Sequence, residues 1–409
     1  MSQRDIEAIV AGHVCLDIIP RFPGRAVSPQ DVFTPGKLTN VEEAAISTGG
    51  AVSNTGIALA KLGVKPTLAA RVGRDDFGRL IRERLARFAN TEGLVESPAG
   101  HSSYTCVIAP PGIDRIFFHC PGANDEFGPE DLPQELCARA KLFHFGYPPL
   151  MRRMYADGGS ELAELFRKAQ SAGATTSLDM ALPDPQSESG RVDWRALLQR
   201  LLPHVDLFHP SIEEALFMAE RAKRDQLKAQ AAGRDLIDLL DGRDYSALSS
   251  LFLAWGAAIV SLKSGPRGFY LRSAARMRLE AMGAARPADL DNWTSREIWS
   301  PAFRPPPTGS ATGSGDSALA GFLTAFLRGE TIESAAACAN AMGYQNLHAL
   351  DAVSGIADWP TTLRIAGDRS LPRLPFSLHS PGWRFDPRQS LWLGPADRAP
   401  GESPIKQAG

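Results

Sequence analysis

Apolar positions along the chain switch repeatedly between a two-residue and a 3.6-residue period. The run IEAIVAGHVCLDIIP (6–20) is rich in Ile and Val and is broken by Gly12, which predicts a buried strand, a turn and a second strand. Residues 21–45 are rich in Pro, Gly and polar side chains and predict a loop or an excursion from the main body. Gly49 and Gly50 then precede a helical spacing of Ile57, Leu59, Ala60 and Leu62 that stops at Gly63. PTLAARVG (66–73) predicts a strand and DDFGRLIRERLARF (75–88) an amphipathic helix. The alternation continues through strands at 141–147, 174–180, 205–210, 257–265 and 269–273, and helices near 161–170, 213–220, 318–329 and 333–347. Such alternation predicts an α/β fold with a largely parallel central sheet and helices on both faces. Two stretches fall outside this pattern. Residues 220–250 are charged and helix-prone and predict a solvated helical insert. The segment 366–409 is rich in Pro and Arg yet carries Trp383 and Trp392, which predicts a packed appendage or a partly disordered tail.

Composition narrows the function classes. The 409 residues are 44% hydrophobic and 22% charged, ordinary globular values that permit one large domain or two. A net charge of -2 argues against a broad nucleic-acid or membrane surface. Cys15, Cys106, Cys120, Cys137 and Cys338 are scattered, without metal-ligand spacing, as expected of reduced thiols in a cytoplasmic protein. The start MSQRDIEAIV has no apolar core of signal-peptide length, and no later stretch is long and uncharged enough to span a membrane. The eight histidines are dispersed, with His13 and His119 the two placed to reach a substrate face.

Three segments carry candidate chemistry. In TGSGDSALAGF (312–322), small residues lead directly into a helix whose N-terminal N–H groups favour an anion. Asp316 sits at the same helix start. It is either a helix-capping residue or a base that accepts the proton of an attacking hydroxyl while the backbone of Gly313, Ser314 and Gly315 stabilises a transferred phosphoryl group. In STGGAVSNTG (47–56), Gly49 and Gly50 precede Asn54, a pattern that suits either a tight turn or a polyol contact. Asp17, after Gly12, is either a turn residue or an acceptor for vicinal hydroxyls.

Taken together, GGAVSNTGIALAKLG, GRDDFG (73–78) and TGSGDSALAGF resemble the ribokinase-like (PfkB) carbohydrate kinases, over about residues 6 to 360. The resemblance implies a three-layer α/β sandwich over residues 1–365 with a small β-rich lid from about 13–45 and 103–122, which often pairs between subunits as a homodimer. It implies ATP and magnesium as cofactors, a sugar or nucleoside as substrate, and Asp316 as base. Asp17, Gly49, Gly50, Asn54, Asn124 of the GAN motif and Asp179 become substrate contacts. Ser211, Lys263, Gly265, Gly268, Thr312 and Asn340 become nucleotide-side residues. Glu214 acts on magnesium through water. Arg115 and Arg267 are further phosphate candidates.

The sequence departs from the family pattern at three places. Ser211 stands where the family's asparagine-x-x-glutamate element has asparagine, Ser310 stands where an aspartate commonly opens the last signature, and Ser314 replaces the usual alanine of the anion hole. Two alternatives to a sugar kinase remain. One is a nucleoside kinase of the same fold, with Tyr104, Phe117 and Phe118 as an aromatic sandwich. The other is a catalytically silent ligand-binding protein. A dinucleotide-binding dehydrogenase is disfavoured, because the first strand is followed by AGHVCLD rather than G-x-G-x-x-G.

Overall fold

The computed structural model describes residues 4–24, 32–111, 115–305, 311–349 and 351–397. Ser310, residues 25–31 and 112–114 of the expected lid, and 398–409 of the tail lie outside them. Fifteen strands are described: β1 (Ile6–Gly12), β2 (Cys15–Ile19), β3 (Ala45–Gly49), β4 (Pro66–Gly73), β5 (Asn90–Ser97), β6 (Tyr104–Ile108), β7 (Ile116–Cys120), β8 (Ala140–Gly146), β9 (Thr175–Asp179), β10 (Leu207–Phe208), β11 (Ile259–Lys263), β12 (Phe269–Ser273), β13 (Glu297–Ser300), β14 (Arg384–Asp386) and β15 (Leu391–Leu393). Eleven of them form one sheet in the order β14-β15-β13-β12-β11-β10-β9-β8-β1-β4-β5. From β5 to β11 every pairing is parallel. From β11 to β14 every pairing is antiparallel.

The parallel strands are near-continuous apolar runs because both faces are covered. Alternation along β8 sends Phe143 and Phe145 into one core with Phe166 and Phe208, and Leu142 into the other with Val10, Leu68 and Phe322. The second core is roofed by the helices Ala51–Lys61, Ser314–Leu327 and Ile332–Asn346. The chain leaves β1, β8, β9 and β11 at Gly12, Gly146, Asp179 and Lys263, all on the carboxyl edge of the sheet, where open α/β sheets bind ligands. A second sheet, β3-β2-β6-β7, stands over that edge. Its two-residue link to β1 needs Gly12, whose φ is +122° and whose Cβ would lie 2.3 Å from the Gly146 carbonyl oxygen.

The structure differs from the pattern-based reading in two ways, while the described part of the tail packs as an appendage. The helix after Gly73 ends at Leu85, and β5 follows at once, its alternation blurred by Glu92, Gly93 and Glu96. Residues 220–250 form two helices, Arg221–Ala231 and Gly242–Ala254, and the second buries Tyr245, Leu248 and Phe252 in the core. Charge dominates that stretch, yet an i, i+3, i+7 stripe runs through it. The tail adds β15 and β14 to the outer edge of the main sheet, where Trp383 packs beside Trp299 and Tyr270. Its strands are three residues each, too short for a period to register.

Candidate active site

Three cavities run in series along the carboxyl edge. The largest, about 1230 Å³, lies between the main body and the lid sheet and is lined by His13, Asp17, Asn54, Phe117, His119 and Asp316, among others. A middle chamber of about 380 Å³ is lined by Tyr147, Ser211, Glu214, Lys263, Gly315 and Asp316. The third, about 290 Å³, is lined by Lys263, Gly265, Gly268, Asn340, Tyr344 and Leu374. Asp316, Gly313 and Tyr147 face both the cleft and the chamber, while Lys263, Gly265 and Gly315 face both the chamber and the third cavity.

Asp316 occupies the first turn of the Ser314–Leu327 helix. Gly313 caps that helix at φ +72°, and a Cβ there would sit 2.4 Å from the Ala352 Cβ, so the turn requires glycine. The Asp316 carboxylate accepts from Asn54 Nδ2 at 3.0 Å, Thr55 Oγ1 at 3.4 Å and the Tyr147 hydroxyl at 2.8 Å to both oxygens. Burial pushes its pKa up, opposed by Asn54, Lys263, Tyr147 and Thr55. Ser314 donates its own N–H to the Ala311 carbonyl at 3.2 Å, so that amide serves the turn itself. Thr312 lines the cleft rather than the nucleotide end.

On the substrate side, Asp17 of β2 points into the cleft, where burial pushes its pKa to about 6 against hydrogen bonds from Cys15 and Thr105. Gly49, which pairs with Cys15 on the neighbouring strand, lies diagonal to it, and a Cβ at Gly49 would stand 2.3 Å from Asp17 Oδ2. Gly50, at φ +84°, starts the helix that carries Asn54, and a Cβ there would meet His13. Asn54 Oδ1 is buried without a partner, an acceptor open to a ligand hydroxyl. Two expected substrate contacts fall elsewhere. Asn124 is fully buried, with both amide atoms paired to the Val14 backbone, and braces the β1–β2 link instead of lining the cleft. Asp179 turns its carboxylate to Lys263 Nζ beside the chamber.

The nucleotide-side residues assemble around Lys263. Burial pushes Lys263 down, but Asp179, Glu214 and Asp316 outweigh it and hold its pKa above the lysine range. Asp179 and Glu214 are pushed up by burial and pulled back by Lys263. Ser211 accepts from Glu214 N–H at 3.1 Å while Glu214 Oε2 accepts from Ser211 N–H at 2.6 Å, a reciprocal helix cap that explains why a serine suffices there. Gly265 and Gly268 adopt φ of +49° and +93° in the turn after β11. Asn340 donates to the Ser300 and Pro301 carbonyls at 2.9 and 3.3 Å, so its amide nitrogen braces the wall of the third cavity. Arg267 donates to the Leu240 carbonyl, away from the chamber, whereas Arg115 lines the cleft. Two buried carboxylates, Asp179 and Asp316, and the half-buried Glu214 face one ammonium, an excess of carboxylates that suits a divalent cation. No group of three metal-ligating side chains occurs among the described residues. Glu214 is the chamber side chain that could neighbour a magnesium ion.

The sequence reading missed Tyr147 and Thr55. The signal for Tyr147 was a tyrosine between a strand-ending glycine and two prolines. Of the candidate aromatic sandwich, only Phe117 lines the cleft; Tyr104 packs edge-on against Phe77, and strand alternation turns Phe118 outward. His13 and His119 do reach the cleft, their Nε2 atoms 3.2 Å apart, and burial pushes both pKa values down, His13 to about 3.

The family model described as pfkB family carbohydrate kinase matches residues 8–240, more than half of the chain, and the chain belongs to that family. The matched span ends before the Asp316 turn. Among its relatives, fructokinase-2 of Oryza sativa subsp. japonica is 24% identical over 234 residues, covering 56% of this chain and 65% of the relative. Fructokinase-2 of Solanum lycopersicum is 24% identical over 232 residues, covering 56% and 66%. The chain thus spans just under two thirds of the length of these relatives. Among solved structures, Arabidopsis thaliana ribokinase complexed with ribose and ATP superposes with a TM-score of 0.63 at 15% identity, over 89% of this chain and 99% of that one. Xylella fastidiosa fructokinase with bound ATP gives 0.63 at 19%, over 88% and 97%. At those identities the likeness establishes the fold, which is ribokinase-like.

Proposed function

We propose that the protein transfers the γ-phosphoryl group of ATP to a hydroxyl of a sugar or sugar-like acceptor. The observation that carries this reading is the position of Asp316: one buried carboxylate faces both the cleft that holds Asp17 and Asn54 and a chamber at a helix N-terminus. The acceptor lies against Asp17, Asn54 and the Gly49–Gly50 turn. Asp316 takes the proton of the attacking hydroxyl. Lys263 and the backbone at Gly313 and Gly315 offset charge on the transferred group. Magnesium, held beside Glu214, would supply further charge neutralisation when bound. The adenine end goes to the cavity lined by Tyr344 and Leu374. Fructokinases and a ribokinase are among the relatives and fold neighbours, and the cleft carries Asp17, Asn54 and Asp316, side chains that can hold the hydroxyls of a sugar. Phe117 without Tyr104 or Phe118 favours a sugar over a nucleoside. The same reading places the protein in the cytoplasm and lets two copies meet through the lid, whose outer face exposes Ile46 and Phe118.

The test is a panel of hexoses, pentoses and nucleosides with ATP and Mg2+, reading ADP and phosphorylated product by mass spectrometry. A phosphorylated sugar is expected. A phosphorylated nucleoside alone moves the assignment to the nucleoside kinase, and binding without turnover moves it to the silent ligand-binding protein.

A further inference from the structure

Both oxygens of Asp316 are covered by neighbours. Asn54 Nδ2 donates to Oδ2 at 3.0 Å, Thr55 Oγ1 lies 3.4 Å from Oδ1, and the Tyr147 hydroxyl oxygen sits 2.8 Å from both, sharing its single proton between them. The phenol oxygen therefore occupies the space in front of both oxygens that a water or a substrate hydroxyl would need. Asn54 and Thr55 lie inside the buried first half of the Ala51–Lys61 helix and are fixed by it. Tyr147 is the donor placed to move, because it follows β8 in the turn that leads to Pro148 and Pro149.

Two further observations mark this side chain. Its ring faces both the acceptor cleft and the phosphate chamber, so it stands at their junction. Its backbone sits at φ 67° and ψ 44°, a left-handed conformation that a non-glycine residue seldom adopts. Its N–H donates to the Asp179 carbonyl at 3.3 Å and its carbonyl accepts from Leu150 N–H at 3.0 Å, which hold the turn. Conformations of this kind gather at functional positions and switch points. The charged and titratable groups around the contact are Lys263, Asp179 and Glu214 across the chamber and His13 across the cleft, its ring centroid 6.2 Å from that of Tyr147.

We propose that Tyr147 is an acceptor-displaced gate on Asp316: its hydroxyl holds both carboxylate oxygens until a substrate hydroxyl takes one of them, which keeps water from being phosphorylated. The inference rests on the kinase reading above. With the gate in place and no acceptor bound, the phenol oxygen covers both oxygens of the base against water. Without the gate, a water oxygen bonds to the γ-phosphorus, its proton passes to Asp316, and the bond from that phosphorus to the β,γ-bridging oxygen breaks. ADP and inorganic phosphate leave. When a sugar binds, its hydroxyl competes for one oxygen, and the phenol keeps the other and orients the base.

The experiment compares phosphate release from ATP and Mg2+, without acceptor, by the full chain and by Tyr147→Phe. That substitution keeps the ring beside His13 and removes the hydroxyl alone. Loss of one hydrogen bond from the resting base predicts hydrolysis raised roughly five- to tenfold, while transfer to the acceptor found in the panel falls by a smaller factor. The added hydrolysis must disappear in the double variant with Asp316→Asn, a result that mere loosening of the fold would not give. Unchanged hydrolysis in folded Tyr147→Phe, or added hydrolysis that persists in the double variant, overturns the gate. If the phenylalanine variant does not fold, Tyr147→Leu repeats the comparison. The two readings fail separately: native-rate transfer by Asp316→Asn alone removes the base, whereas lost transfer in Asp316→Asn with unchanged hydrolysis in Tyr147→Phe removes the gate and leaves the kinase.

Discussion

Lys263→Met removes the ammonium that faces Asp179, Glu214 and Asp316 and keeps much of the aliphatic volume. Asp179 is fully buried and its contact with Lys263 is direct, so the substitution leaves an uncompensated charge in the interior. Breaking a buried pair from one side costs about 3–5 kcal/mol. The loss should depend on pH, with a definite sign. In the native protein Lys263 is held above its ordinary pKa, so its contribution is complete below the lysine range and is lost only in strong alkali. Between pH 6 and 8 the ammonium stays charged, while Asp179, raised by burial to about 7, ionises beside it. In the variant the three carboxylates, already raised by burial, lose the cation that pulls them back. The folded chain then retains a proton that the unfolded chain releases, and stability falls as pH rises. One such group is worth about 1.4 kcal/mol per pH unit. Urea unfolding of both proteins at pH 6 and pH 8, with chelator and without nucleotide, measures the difference. Because Asp179 itself titrates near 7 in the native protein, the deficit should approach the full 3–5 kcal/mol at pH 8 and be smaller by about 1 kcal/mol at pH 6. An equal deficit at both pH values, or one below about 1 kcal/mol throughout, refutes the charge cluster.

Gly49→Ala should raise the acceptor KM about tenfold with the ATP KM unchanged, because its Cβ displaces the Asp17 carboxylate; steady-state kinetics on both substrates reads the split. Asp17 has its pKa raised to about 6, and only its ionised form accepts two hydroxyls. The acceptor KM should therefore climb about tenfold per unit as pH falls below about 6, and Asp17→Asn should flatten that limb. Leu374→Asp puts a charge in the wall of the third cavity and should raise the ATP KM about tenfold or more while sparing the acceptor KM.

Much of this architecture could be read from the chain, and the parts that could not have physical causes. The parallel strands β1, β4, β8, β9 and β11 are buried on both faces, so their apolar runs are unambiguous. β13, β14 and β15 are three or four residues long and owe their conformation to the neighbours they pair with, which periodicity cannot register. In the site, the glycine turns and Asp316 were legible because unusual backbone demands glycine and because a carboxylate at an anion-binding helix start needs a reason. Tyr147 was not, since its role depends on a left-handed turn that brings residue 147 against residue 316. Asn124 and Asn340 had the right identity and neighbourhood, but orientation decides whether an amide meets a ligand or a carbonyl, and both meet backbone. The segment after residue 370 read as a tail, yet Leu374 N–H pairs with the Ala302 carbonyl and its side chain helps wall the nucleotide end.

The claim on which everything else depends is that the Asp316 carboxylate accepts the acceptor's proton. Rates of sugar phosphorylation by the native chain and by Asp316→Asn, at saturating ATP and Mg2+ and with binding of a non-hydrolysable ATP analogue measured alongside, test it most directly. The account predicts a kcat lower by about two to four orders of magnitude with analogue affinity preserved. Native turnover in the asparagine variant would contradict it.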